Sequence, residues 1–181
     1  YGPEAIAFMR GAAKGVQDEL LARFANLIGS PNFLSMGYVC FIPRRNASIL
    51  TYGHFPIPDF DRPPRTIIVW GENTSETLFH VNSRISKAQQ NGARIIVIDP
   101  VKTEDAERSD VWLRIKPGTD LALALGMVHV IVREGLYDKN FVEHYTIGFE
   151  DLAAAIDQYT PEFVARVTAI PADAIRESAR W

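Results

Sequence analysis

The order of apolar runs and turn residues across residues 66–120 restricts this chain most. Thr66-Ile67-Ile68-Val69-Trp70 is a short, β-branched apolar run that stops at Gly71, which suits a buried strand. Residues 75–91 carry Leu78, Val81, Ile85 and Ala88 at helical intervals, so the spacing predicts one helix over that stretch. Asn91-Gly92 ends it, because both residues accept the left-handed backbone of a helix C-terminus. Arg94–Ile98 reads as a second buried strand. Strand, helix and strand in that order make a βαβ unit, whose two strands lie parallel in one sheet. Residues 111–115 follow as a further strand, and residues 121–133 as a helix apolar on most faces.

Sheets of this kind bind ligands where strands end and helices begin. Here those edges are Gly71-Glu72-Asn73-Thr74-Ser75, then Asp99-Pro100, then Pro117-Gly118-Thr119-Asp120. All are rich in small residues, hydroxyls and amides. Backbone N–H groups at a helix start favour a phosphate at the first edge, and an acidic residue after the second strand can accept from ribose or a base. Thr119 or Asp120 can equally cap the next helix, and Gly and Asn can simply make turns. The first loop is neither G-x-G-x-x-G nor G-K-[ST], so the dinucleotide and P-loop fingerprints are both missing. The physics alone leads to a parallel α/β domain, with nucleotide binding open.

Composition narrows the classes. The chain has 181 residues, 47% of them hydrophobic, enough to bury a substantial core. A formal charge of −3 gives no broad basic surface for nucleic acid, and no run is long and apolar enough to span a bilayer. Arg10 and Lys14 flank only a short apolar run, which is not a signal-peptide pattern. One cysteine makes neither an internal disulfide nor a cysteine-ligated iron–sulfur cluster. The four histidines, His54, His80, His129 and His144, show no paired metal-ligand spacing.

Elsewhere, residues 5–9 read as a strand, residues 10–12 as a turn, and residues 18–28 as an amphipathic helix closed by Gly29-Ser30-Pro31-Asn32. Cys40 is either a small buried hydrophobe or a thiolate favoured by Arg44 and Arg45 nearby. A helix start near Asn46 gives way to irregular chain through Pro64, since Gly53, Pro56, Pro58, Pro63 and Pro64 rule out long regular structure. Residues 103–110, TEDAERSD, read as a wet surface turn. Four short helices close the chain, at 140–144, 149–155, 161–167 and 171–179, two of them with Pro in the first turn.

W-G-x-N after the first strand, V-I-D-P after the second and K-P-G-T-D before a helix resemble the middle of molybdopterin oxidoreductase catalytic subunits. These are molybdenum or tungsten enzymes of the dimethyl sulfoxide reductase type. The resemblance implies a Rossmann-like α/β core with helices on both faces and a C-terminal helical run. It also implies a domain plan: residues 1–36 from a neighbouring α/β domain, 37–65 as metal-ligand segment and loop, and 66–181 as a guanylate-binding domain. The implied cofactor is bis-molybdopterin guanine dinucleotide with Mo or W, with any iron–sulfur cluster in regions outside this sequence.

By the same resemblance Trp70, Gly71, Asn73, Ser75, Glu76 and Thr77 would line one guanylate pyrophosphate. Asp99, Pro100 and Lys102 would make a second contact. Gly118 and Thr119 would form a third, with Asp120 accepting from the guanine ring. Cys40 takes the place of the protein ligand to the metal. Phe41 stands where many formate dehydrogenases have histidine, which counts against formate chemistry and leaves the acid–base group unassigned. The implied partners are further domains of the same catalytic subunit, an electron-transferring iron–sulfur subunit and a small substrate, in a prokaryotic cytoplasm or periplasm. Family catalytic subunits are several times longer, so the sequence is expected to be one part of such a subunit, with residues 1–30 short of their sheet partners. A non-redox hydratase and a non-catalytic nucleotide-binding module remain alternatives; a nicotinamide dehydrogenase is weaker without the glycine fingerprint.

Overall fold

The computed structural model describes residues 1–11 and 15–181. They form two compact units, Tyr1–Pro58 and Asp59–Trp181.

The first unit runs β1 (Ala7–Arg10), α1 (Val16–Ile28), β2 (Asn32–Ser35) and α2 (Phe41–Tyr52), with single 3-10 turns at Pro3–Ala5 and Met36–Val39. β1 pairs parallel with β2, from Ala7 opposite Asn32 to Arg10 opposite Ser35. Within this chain β1 finds a partner in β2, a strand too short and mixed in composition to read from the sequence. The Ser30 hydroxyl donates to the Ile6 carbonyl at 2.6 Å, and Phe8 meets Phe24 edge-on at 5.7 Å. Gly29 ends α1 at φ 81°, its amide reaching the Ala25 and Asn26 carbonyls. α2 starts at Phe41, five residues before the helix start read near Asn46. The expected turn at residues 10–12 falls partly on Ala12, outside the described residues.

The second unit runs β3 (Thr66–Trp70), α3 (Thr74–Thr77), α4 (Phe79–Gln90), β4 (Arg94–Ile98), α5 (Glu104–Arg108), β5 (Val111–Leu113) and α6 (Asp120–Arg133). Then come α7 (Lys139–Tyr145), α8 (Phe149–Ala155), α9 (Pro161–Thr168) and α10 (Ala172–Arg180). The sheet is all parallel in the order β3-β4-β5. β4 is central and buried on both faces. Ile96 and Ile98 enter a core with Leu113, Leu123, Met127, Val164 and Ile175, from β5 and helices α6, α9 and α10. Ile95 and Val97 enter another with Val69, Ile85 and Ala106, from β3, α4 and α5. Alternate side chains of one strand thus feed opposite layers, as a parallel sheet covered by helices requires. Each fully buried Ile or Val contributes about 1.5–3 kcal/mol over its exposed state. Among the described residues no helix is long and apolar enough to cross a membrane.

β4 is anchored at its N-terminal end. The Ile95 amide donates to the Asp110 carboxylate at 2.7 Å, and the Asp110 amide returns to the Ile95 carbonyl at 2.9 Å. The C-terminus comes back to the same end: the Thr66 hydroxyl donates to the Trp181 carbonyl at 2.9 Å, and Arg94 lies over the Trp181 ring at 4.5 Å. Where α6 crosses α9, Gly126 lets the backbones close, since a Cβ there would stand 2.8 Å from a Val164 methyl. Leu121 is exposed, so α6 buries only the Leu123, Met127 and Val130 face rather than most of its surface.

Two readings from the pattern need correction. The helix expected over 75–91 is broken at Leu78, whose φ of −139° and ψ of 59° separate a single turn from α4. The stretch TEDAERSD is not a wet turn, because Asp105 is 1% exposed. The Thr74 amide donates to its Oδ2 at 2.7 Å and the Thr74 hydroxyl reaches both carboxylate oxygens. Asn82 Nδ2 donates to Oδ1 at 3.2 Å, and Arg108 makes an ion pair with it. Arg108 also donates to Asn82 Oδ1 at 3.2 Å and to Ser86 Oγ at 2.7 Å. The charge is thus buried with a cation and several donors around it, which makes burial of the pair tolerable.

Asp105→Ala leaves the Arg108 guanidinium and the Thr74 amide without their acceptor, and should cost about 3–5 kcal/mol in chemical denaturation. Ala169, at φ 64°, is the non-glycine residue with positive φ among the described residues and closes α9. Ala169→Gly should raise stability by roughly 0.5–1 kcal/mol, the relief of left-handed strain exceeding the added freedom of the unfolded chain; thermal unfolding checks the sign.

Candidate functional site

In-register pairing brings the strand ends of the second unit to one edge. Trp70 lies opposite Ile98, and Ile98 opposite Leu113. The chain leaves β3 through Gly71, whose φ of 58° is a backbone that glycine adopts without strain. Its amide donates to the Ile98 carbonyl at 2.9 Å, tying the first edge to the second. Asp99 leaves β4 with its amide on the Leu113 carbonyl at 3.3 Å. Its Oδ1 accepts from the Val101 amide at 2.7 Å, and its carbonyl accepts from Trp112 Nε1 at 2.9 Å. β5 leads to Lys116, Pro117 and Gly118, the last at φ 80°.

At the third edge the side chains do not cap α6 in the way Thr119 and Asp120 suggest. The Thr119 hydroxyl donates back to the Lys116 carbonyl at 2.6 Å. The Asp120 Oδ1 accepts from Trp70 Nε1 at 2.8 Å, joining residues fifty positions apart. The first and third edges are therefore bonded side chain to side chain. At the first edge several groups bond among themselves: Ser75 Oγ donates to Asn73 Oδ1 at 2.8 Å, and Thr77 Oγ1 to Glu72 Oε1 at 3.1 Å. The Thr74 amide is committed to Asp105, and the amides of Glu76 and Thr77 to the Asn73 carbonyl. Glu76 and Pro100 are exposed. Lys102 is exposed, with Nζ 3.9 Å from Glu107.

An open cleft of about 570 Å³ runs along the second and third edges, lined by Pro100, Arg114, Ile115, Lys116, Pro117 and Ala169. Arg114 and Lys116 are functional candidates that the sequence reading passed over. Arg114 follows the buried Leu113, so strand alternation turns it to the outside, and that signal was present in the sequence. Asp105 was passed over too. It holds the first edge through Thr74, and its partner lies thirty-one positions away, out of reach of any local pattern.

Cys40 lies in the first unit. It is a free, exposed thiol at the start of α2, with φ −130° and ψ −90°. Its amide donates to the Gly37 carbonyl at 3.4 Å, and Ser35 Oγ accepts from the Gly37 amide at 3.0 Å. The thiol is therefore not the buried hydrophobe. The neighbouring cations are engaged elsewhere: Arg44 stacks over Phe55 at 5.0 Å, and Arg45 donates to Asn46 at 3.5 Å. Phe41 meets Phe55 edge-on at 5.5 Å, beside a cleft of about 300 Å³ lined by Arg10, Asp18, Phe33, Gly37, Phe41 and Ile42 among others. Among the described residues no group of three or more His, Cys, Asp or Glu side chains is placed to hold a metal ion.

Against known proteins the chain is informative over nearly its whole length. Residues 1–172 match the family model for molybdopterin oxidoreductase. It is 34% identical over 180 residues to acetylene hydratase of Syntrophotalea acetylenica, covering 99% of this chain and 25% of that protein. It is 35% identical to the thiosulfate reductase molybdopterin-containing subunit of Salmonella typhimurium, over 97% of this chain and 23% of that one. With formate dehydrogenase H of Escherichia coli it shares 35% identity over 99% of this chain and 26% of that one. The solved structure of acetylene hydratase from Pelobacter acetylenicus superposes with a TM-score of 0.79 at 34% identity, over 99% of this chain and 25% of that chain. The chain spans about a quarter of the length of the curated relatives it matches. On this identity and on three sheet edges carrying W-G-x-N, V-I-D-P and K-P-G-T-D, the chain belongs to the molybdopterin oxidoreductase family.

Proposed function

We propose that this chain is the part of a molybdenum or tungsten catalytic subunit that holds one guanylate arm of bis-molybdopterin guanine dinucleotide and gives the metal its protein ligand, Cys40. The observation that carries the reading is the bonded convergence of sheet edges at Gly71, Asp99 and Asp120. The residues fit such a guest on their own terms. A Cβ at Gly71 or Gly118 would meet nothing within 4 Å, so the edge is open. Asp120 is an exposed carboxylate suited to two adjacent N–H donors, and Arg114 and Lys116 supply cations for a pyrophosphate. Gly71, Asn73, Ser75, Glu76, Thr77, Asp99, Pro100 and Lys102 complete the edges, and Trp70 packs on the sheet core behind them. Because the short α3 turn has already committed its Thr74 amide, phosphate charge falls to these cations more than to that helix start.

When bound, the group supplies a metal able to change oxidation state against a small substrate. This chain's residues would orient the guanylate, hold the sulfur ligand at the start of α2, and place the Phe41–Phe55 pair beside it. Remaining domains of the same subunit and an iron–sulfur electron-transfer partner complete the enzyme in this reading. A second reading, hydration of a small unsaturated substrate, is favoured by one observation: a protein named acetylene hydratase is among the relatives, at 34% identity over 99% of this chain.

Metal and pterin content of the full-length protein tests the proposal. Wild type should carry molybdenum or tungsten with a guanylate pterin. Cys40→Ala should keep the pterin, lose one sulfur neighbour in metal-edge X-ray absorption, and lose turnover by more than the roughly 10–100-fold that changing a supporting group around a metal costs. Wild type carrying neither metal nor pterin would overturn the whole reading; an unchanged sulfur count in Cys40→Ala would overturn the ligand assignment alone.

A further inference from the structure

Trp70 ends β3, and its ring packs against the core that holds Ile98 and Leu113. A ring fixed this way has one N–H direction to offer. That N–H goes to Asp120 Oδ1 at 2.8 Å, on an exposed carboxylate at the first residue of α6. The carboxylate is not spent on capping its helix, and among the described residues its one hydrogen-bond partner is the indole. An ionised carboxylate has about four lone-pair sites. One goes to Trp70, which leaves acceptors on both oxygens while fixing the carboxylate plane.

We propose that Trp70 is the positioning residue for base recognition: its indole N–H sets the Asp120 carboxylate so that both oxygens face the adjacent N1–H and 2-amino donors of guanine. This deepens the guanylate reading and rests on it. Adenine presents a lone pair at N1 beside its amino donor, so a carboxylate held in that plane meets one donor and one repelling acceptor. A carboxylate free to turn would discriminate less. Trp70 on this account acts through Asp120 and does not itself touch phosphate.

The test is calorimetric titration of the 181-residue chain with GDP and with ADP, which share sugar and phosphates. Wild type should prefer GDP. Trp70→Phe keeps a ring and deletes the donor; it should weaken GDP by about tenfold, the size of one charge-assisted hydrogen bond, and leave ADP nearly unchanged. Equal weakening of both nucleotides, or none, overturns the proposal. A readout without ligand guards against a Trp70→Phe protein that folds poorly. In Asp120→Ala the Trp70 indole N–H resonance should shift and exchange faster; an unmoved resonance also overturns it. Asp120→Asn keeps the two failures apart. A carboxamide pairs with the N1–H and 2-carbonyl of xanthine, so a gain for XDP with a silent Trp70→Phe sinks the positioning role and leaves the guanylate reading standing. A wild type with no preference for GDP sinks both.

Discussion

The pairing of β4 between β3 and β5, apolar on both of its faces, is what the second unit depends on. Ile96 and Ile98 serve one helical layer and Ile95 and Val97 the other, and all four are essentially inaccessible. With both layers in place, the parallel strands end together, and the edges at Gly71, Asp99 and Asp120 stand at that end. Side chains there need not be positioned one by one: strand register does it for Trp70, Asp99 and the residues beyond Leu113.

Register alone would still leave three loops free to move, and the polar bonds between them limit that. Gly71 ties the first edge to β4, Asp105 holds Thr74 from beneath, and the Trp70 indole reaches Asp120 across the edge. The buried Asp105–Arg108 pair costs desolvation, and its return is local shape: it links α3, α4 and α5 where an apolar cluster would leave the Thr74 amide unsatisfied. On the outer helices the ion pairs do less. Hydrogen bonds from Arg180 and Arg176 hold the Glu134 and Glu162 carboxyls below their usual range, on groups open to solvent where screening makes such pairs weak.

What could be read from the sequence had local physics behind it. Two β-branched runs bounded by Gly71 and Asp99 gave β3 and β4, and Pro161 and Pro171 marked the starts of α9 and α10. What could not be read depended on partners far along the chain. Leu78 keeps the helical interval of Val81 and Ile85 yet breaks the helix, because periodicity reports which side is buried and not whether the backbone is continuous. Asp105 looked solvated among its charged neighbours, and only Thr74, Asn82 and Arg108 together explain its burial. In the site, the motif residues were visible one at a time. The bond between Trp70 and Asp120, fifty positions apart, required the fold.

The uniform Ile-Ile-Val-Ile of β4 has a cost of its own. Where a strand alternates apolar and polar residues, sliding it by one position exposes hydrocarbon and buries charge, so the hydrophobic pattern polices alignment. Here a slip exchanges one greasy layer for another along most of the strand, and the penalty falls at its ends, where Arg94 or Asp99 would be drawn toward buried positions. Asp110 adds a specific tie, its carboxylate and amide gripping the main chain of Ile95 at the strand's entrance. An acidic side chain at one end of the strand thereby helps to set which atoms stand at the other.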